Sequence, residues 1–276
     1  MNPNPLAKHF RQPKIYLSLP SGGKFYSEGT LTGDPNSLPV FGMTAMDEIL
    51  LKTPDGLFTG ESVVQVIKSC IPAINDPWEM PTIDLDSVLI AIRIATYGGK
   101  MPMSYKCNKC KEDNHIDLDL SNTLDYYSSL TYEDYVFLDP LKINLRPLSY
   151  REQTEAARKQ YEYERLLTRS YSEMSEEEKN DNINSILKQL SELTSNTYKK
   201  CIDSVEADDT MVDNAQQITE WIQNSDALFF DTIKAQLEKL SKEWRLQDQK
   251  SICGNCETEN TIKINLDYSS FFVRNS

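Results

Sequence analysis

Four cysteines, arranged as two Cys-x-x-Cys pairs, carry the strongest chemical signal in the sequence. The pairs are Cys107 with Cys110 and Cys253 with Cys256. A Cys-x-x-Cys turn lets two thiolates converge on one metal ion, and two such turns that meet complete the tetrahedral four-sulfur shell that zinc prefers. We therefore predict one zinc site with these four cysteines as ligands, in preference to free thiols or a labile disulfide.

The two cysteine pairs belong to a near-repeat. In each copy an asparagine stands four residues after the second cysteine, as Asn114 and Asn260, and a run of alternating apolar residues follows. This pattern predicts two β-hairpins, each with a cysteine pair at its turn. His115 follows the first asparagine, and we expect it to be an exposed strand residue because four thiolates already complete the shell.

The interval from Cys110 to Cys253 is far longer than the roughly 15 to 20 residues of a contiguous zinc ribbon. We infer that a helical region is inserted into a discontinuous ribbon. Four cysteines leave no open coordination position, so the zinc is expected to be structural, and its binding energy should stabilise the elements that it joins.

The N-terminal third combines one strand with several helices. Residues 14–19 alternate in polarity and predict a strand, and turns follow it. Thr44 and Asp47 form a variant of the capping box and predict a helix through Leu51. A second helix, over residues 61–71, should end before Pro72.

A third helix is predicted over residues 85–96, with Asp84 as its N-terminal cap and Gly98 at its end. Apart from Arg93 this helix has almost no polar face, so we expect it to form the centre of the N-terminal core. Arg93 is either a buried ion-pair partner, an interface group, or a snorkelling side chain at the edge of the core, and the last is favoured.

From residue 149 to about residue 248 the composition changes to long helices. Ser149 with Glu152 and Ser175 with Glu178 are capping boxes, and helices are also predicted at about 214–223 and 227–245. The predicted fold is therefore α+β in three modules. These are a mostly helical N-terminal module (1–100), a discontinuous four-cysteine zinc ribbon of two β-hairpins (101–148 and 249–276), and an inserted helical hairpin or small bundle (149–248).

Composition excludes several classes of function. The net charge of −13 would repel nucleic acid, whose binding depends on Lys and Arg. We expect no signal peptide and no membrane insertion, hence cytosolic synthesis, where paired cysteines indicate metal binding. Two histidines and the absence of a glycine-rich phosphate motif argue against an enzyme.

Four segments of the N-terminal third closely resemble the baseplate hub assembly proteins of T4-like contractile-tail bacteriophages. They are FRQPKIYL (residues 10–17), MTAMDE (43–48), KTPD (52–55) and IDLDSVLIAIRIATYG (83–98). The resemblance covers residues 8 to about 100 well and the remainder in general layout. It implies a role in building the central hub, with no enzymatic activity, either in the virion tail or in the host cytoplasm during assembly.

We therefore expect a structural or assembly protein of the baseplate hub that binds other hub, central spike or tape-measure proteins and has a structural zinc. The N-terminal module would dock through residues 10–16 and 43–55, and a homo-oligomer within the tail is possible. Because the chain is acidic, we expect the partner's patch to be neutral or basic. The alternative is a zinc-containing regulatory or host-protein-binding module with no virion role.

Overall fold

The structure, a computed structural model, describes residues 4–168, 176–208, 210–264 and 271–272. Its α-helices are α1 (Ala45–Leu50), α2 (Pro54–Thr59), α3 (Glu61–Cys70), α4 (Thr82–Tyr97), α5 (Leu120–Ser129), α6 (Tyr150–Leu167), α7 (Glu176–Lys200), α8 (Ala215–Asn224) and α9 (Ala227–Glu243). Its strands are β1 (Pro13–Leu17), β2 (Leu38–Phe41), β3 (Lys100–Lys106), β4 (Asp113–Asp119), β5 (Tyr135–Leu138), β6 (Leu141–Leu145), β7 (Ile202–Ala207), β8 (Thr210–Val212), β9 (Gln249–Ile252) and β10 (Glu259–Ile262). Helices combined with small antiparallel sheets confirm the predicted α+β class.

The chain divides into two compact units. The first consists of Met1–Thr131 together with Trp244–Ser276, and the second is Tyr132–Glu243. Both cysteine pairs therefore belong to the first unit, and the second unit is inserted between them in the sequence. The finer division into three modules, with boundaries at residues 100, 148 and 248, stays a prediction.

Helix α4 is the centre of the first unit. Five consecutive residues, Val88 to Ile92, are completely buried, and the helix packs against β1, β2, α3 and α5. Gly98 ends it with a φ of +93°, a conformation that a side chain disfavours. The prediction of a central apolar helix is confirmed.

The start of α4 differs from the prediction. The helix begins at Thr82, after Pro81, so Asp84 lies inside the first turn and is not its cap. The carboxylate of Asp84 instead accepts hydrogen bonds from the backbone N–H of Ser21 (2.8 Å), the hydroxyl of Ser21 (2.6 Å) and the hydroxyl of Tyr26 (3.1 Å). Burial raises the pKa of Asp84 to about 6, and the bonds from Ser21 and Tyr26 oppose the rise. Asp84 thus ties the glycine-containing turn after β1 to the central helix.

Arg93 is buried rather than snorkelling, since only 3% of its surface is exposed. Its guanidinium donates a hydrogen bond to the backbone carbonyl of Phe271 and lies over the rings of Tyr97 (5.4 Å) and Phe271 (5.2 Å). The hydroxyl of Tyr97 donates to the carbonyl of Phe272 (3.0 Å). Both phenylalanines are buried, so Phe271 and Phe272 are part of the core around α4.

The start of the first unit is held by a network around Asp47. The capping box is present as predicted. The carboxylate of Asp47 accepts a hydrogen bond from the backbone N–H of Thr44, and the hydroxyl of Thr44 accepts one from the backbone N–H of Asp47. Arg11 donates to the carbonyls of Gly42 and Ser69, and the hydroxyl of Ser69 donates to Asp47. Arg11 is therefore part of the fold.

The second unit contains a four-stranded antiparallel sheet in the order β5-β6-β7-β8. Ile143 on β6 is paired with Val205 on β7, and both side chains are buried. Helix α6 begins with the predicted capping box of Ser149 and Glu152, whereas the one predicted at Ser175 lies outside the described residues. The region predicted to be helical also contains β7 and β8, which sequence periodicity did not indicate.

Candidate metal centre

The two cysteine pairs occupy matching turns. The first lies between β3 and β4 and the second between β9 and β10. In the first turn the N–H of Cys107 donates to the carbonyl of Glu112 (2.9 Å), and the N–H of Lys111 donates to the carbonyl of Cys107 (3.0 Å). The same two bonds recur around Cys253, and the residue after each pair, Lys111 or Glu257, has positive φ. The sequence repeat is therefore also a structural repeat.

The four thiols meet at one point. All four sulfur atoms lie within 4.8 Å of one another, and Cys107 to Cys256 and Cys110 to Cys253 are each 3.6 Å. These distances far exceed the roughly 2.05 Å of a disulfide bond. They are close to the edge of a tetrahedron with metal–sulfur bonds of about 2.3 Å, which is about 3.8 Å. Within the described ranges, the four cysteines are the one cluster of three or more potential metal ligands.

The asparagines of the repeat cross between the hairpins. Asn114, from the first hairpin, donates to the sulfur of Cys253 (3.5 Å) and accepts from the backbone N–H of Gly254 (3.0 Å). Asn260, from the second hairpin, donates to the sulfur of Cys107 (3.6 Å) and accepts from the backbone N–H of Asn108 (2.9 Å). Each carboxamide thus forms hydrogen bonds with a cysteine sulfur and with a backbone N–H of the opposite turn. The sequence repeat marks both asparagines, but it does not predict that each one contacts a cysteine of the opposite hairpin.

The thiols differ in how readily they ionise. The backbone N–H of Cys110 is the main cause that lowers the pKa of Cys107 to about 6, and Lys109 and Asn260 add to it. The backbone N–H of Cys256 lowers the pKa of Cys253 in the same way. The backbone N–H of Glu112 lowers the pKa of Cys110. Burial and hydrogen bonds with the neighbouring thiols outweigh this effect, and the pKa is raised to about 11. Four thiolates at these distances repel one another, and a divalent cation at their centre would offset that repulsion.

The other cysteines and the histidine that the sequence offered lie elsewhere. Cys70 and Cys201 are buried, and burial raises the pKa of each thiol to about 12, so they fit packing roles. His115 is an exposed strand residue, as predicted, with its Nδ1 2.9 Å from the hydroxyl of Ser104.

Fold and site together define an α+β protein in which the turns of two β-hairpins bring four cysteines together. The sequence model of one family, described as the T4 bacteriophage base plate protein, matches residues 41–273. This match includes most of the chain, and the chain therefore belongs to the family of T4 bacteriophage base plate proteins.

No curated protein and no solved structure matches the chain significantly. Among the described residues, each helix is either too short or too polar to span a bilayer.

Proposed function

We propose that this base plate protein is a structural component of the tail baseplate hub, which binds other hub, central spike or tape-measure proteins and carries one structural zinc ion. The observation that carries the proposal is the family match over residues 41–273. The resemblance of residues 8–100 to hub assembly proteins supports the hub as its location. A structural role also agrees with a cluster whose four thiols would fill every position of a tetrahedral metal.

The proposed docking residues are the exposed side chains of Phe10, Tyr16, Met46 and Ile49, which together are called the N-terminal face. Between 59% and 67% of each of these large apolar side chains is exposed, so they bury little of their surface in the first unit. Exposed aromatic and methionine side chains are typical anchors of protein interfaces. An open cavity of about 500 Å³, lined by Phe10, Phe41 and Pro72 among others, adds a concave element beside Phe10.

The charge beside this face is of both signs. Lys8 and Lys14 are exposed, and Glu48, which lies between Met46 and Ile49 in the sequence, is half-buried. Arg11 is paired with Asp47 within the fold. The net charge of −13 is therefore the guide, and the partner's patch is neutral or basic.

The experiment uses purified hub, central spike and tape-measure proteins of the same phage and measures their binding to this chain. The double variant Phe10→Ala/Tyr16→Ala should bind about 30-fold more weakly or worse, since loss of anchors costs about 2 kcal/mol or more. Phe137→Ala is the matched control, because this phenylalanine is 67% exposed but lies in the second unit. No binding of the unaltered chain to any of these proteins overturns the proposal and favours a regulatory or host-binding module instead.

Zinc is the metal that the cysteine cluster fits best. Tetrahedral four-sulfur sites with two Cys-x-x-Cys turns are typical of structural zinc, and the sulfur separations of 3.6 Å suit its bond lengths. We propose Cys107, Cys110, Cys253 and Cys256 as its ligands. Since these residues come from both chain segments of the first unit, the binding energy of the ion would stabilise the contact between those segments.

A further inference from the structure

We propose that Asn114 and Asn260 are positioning residues that allow the metal centre to form only when the two hairpins have docked on each other. This inference rests on the proposed zinc site and assigns a role to two side chains that bind no metal themselves. Each asparagine orients a thiol of the opposite hairpin, so neither Cys-x-x-Cys turn is complete alone.

The hydrogen bonds of Asn260 show the dependence most clearly. Only 2% of its surface is exposed, so its carboxamide needs partners within the protein. Its oxygen accepts from the N–H of Asn108 and its nitrogen donates to the sulfur of Cys107, both in the first hairpin. The one partner that its own hairpin supplies is the carbonyl of Thr258 (2.8 Å). Separation of the hairpins would leave this amide with most of its bonds unmade.

Asn114 repeats the arrangement in the other direction. Its nitrogen donates to the carbonyl of Glu112 in its own turn (2.9 Å) and to the sulfur of Cys253, and its oxygen accepts from the N–H of Gly254. An N–H donor that points at a thiolate stabilises the negative charge that four sulfur ligands place around a divalent ion. The pair of asparagines therefore links charge stabilisation at the metal to contact between the hairpins.

This coupling has a consequence for the order of folding. The second hairpin follows the whole inserted unit in the sequence. The hydrogen bonds of Asn114 and Asn260 to the opposite cysteines can therefore form only after the second hairpin has docked on the first. A single hairpin would offer two thiols that lack the opposite carboxamide, and would bind the ion weakly. Metal uptake thus marks the closure of the first unit.

The test measures zinc affinity by competition with a chelator for the full chain and for Asn114→Ala, Asn260→Ala and Asn114→Asp. The matched controls are Asn108→Ala and Asn255→Ala, since these asparagines lie in the same turns with exposed side chains. Loss of an outer hydrogen bond to a metal ligand lowers affinity about 10- to 100-fold. We expect this loss in the three test variants and unchanged affinity in both controls.

Asn114→Asp separates the donor role of the carboxamide from its bond to Gly254. The aspartate keeps an oxygen for the N–H of Gly254 but loses the N–H groups that donate to Cys253 and to the carbonyl of Glu112. If the bond to Gly254 were the whole role of Asn114, this variant would bind zinc as the unaltered chain does, which would overturn the inference. In the Co²⁺-substituted protein the sulfur-to-cobalt charge-transfer band should shift in Asn114→Asp and stay unchanged in the controls.

The outcomes distinguish this inference from the proposal on which it rests. A folded, unaltered chain that binds no zinc defeats the zinc site itself. Normal zinc binding, with affinities in the test variants equal to those in the controls, defeats the coupling role of the asparagines and leaves the zinc site intact.

Discussion

The hydroxyl of Tyr105 donates a hydrogen bond to the hydroxyl of Ser251, 3.0 Å away, although the two residues are 146 positions apart in the sequence. Each stands two residues before the first cysteine of its pair, so the bond joins equivalent positions of the two hairpins. Asn114 and Asn260 also contact the opposite hairpin. These bonds indicate that the two hairpins pack against each other through equivalent residues.

The first prediction concerns this bond. Tyr105→Phe should lower the free energy of unfolding by about 1 kcal/mol, the usual net value of one hydrogen bond, without changing the zinc content. The control is Tyr16→Phe, whose side chain is largely exposed. Hydrogen exchange of the β3 and β9 amides measures the effect within the first unit. Equal protection in the two variants would contradict the assigned role.

The second prediction concerns the C-terminal residues. Phe271→Ala should destabilise the first unit by about 3 to 5 kcal/mol, because the ring is 2% exposed and also lies against Arg93. Exchange protection of the α4 amides is the measurement, and Phe10→Ala, an exposed phenylalanine of the same unit, is the control. Unchanged protection of α4 in Phe271→Ala would show that this segment is not part of the core.

The third prediction concerns the pH dependence of stability. Burial raises the pKa of Asp84 from 3.8 to about 6, whereas in the unfolded chain it keeps an ordinary value. The stabilising contribution of Asp84 is therefore greatest below about pH 4 and falls as the pH rises to about 6. The loss is about 3 kcal/mol and is constant at higher pH.

Comparison with Asp84→Asn isolates this effect. The asparagine cannot ionise, and any altered hydrogen bond to Ser21 contributes an offset that does not depend on pH. The free energy of unfolding of the first unit, followed through the α4 amides, should therefore fall relative to the variant between pH 4 and 6. A difference that stays constant over this range would contradict a raised pKa.

The fourth prediction concerns the inserted unit. Replacement of residues 132–243 by a linker of about ten Gly and Ser residues should leave a folded first unit that still binds one zinc ion. The carboxamide of Gln247 donates to the hydroxyl of Tyr126 (2.7 Å), so the chain segments next to the excision lie close together. A folded but zinc-free product would count against the insertion and against the independence of the two units.

Local sequence signals were reliable where the interacting residues are close in the chain. The capping boxes of Thr44 with Asp47 and Ser149 with Glu152 are present because three residues separate the partners. The apolar run of α4 likewise predicted a buried helix from its own residues. The cysteine pairs predicted two hairpins, since a Cys-x-x-Cys turn is itself a local structure.

The errors arose where a residue's partner is distant in sequence. Asp84 was assigned as a helix cap, but Ser21, 63 positions earlier, binds its carboxylate. Arg93 reaches Phe271 across 178 positions. Strand β7 depends on pairing with β6, which lies before two long helices, and its own short sequence gives little periodic signal. The repeat marked Asn114, but no local pattern could indicate that its carboxamide crosses to Cys253.

The most direct test of the central claim is the zinc content of the purified, folded chain. Elemental analysis of protein prepared without chelator should find about one zinc ion per chain. Cys107→Ser and Cys253→Ser should lower the zinc content and the stability together. Cys201→Ser, a buried cysteine of the second unit, should keep the zinc. Folded, unaltered protein without zinc, or the same zinc content in all four proteins, would contradict the assignment.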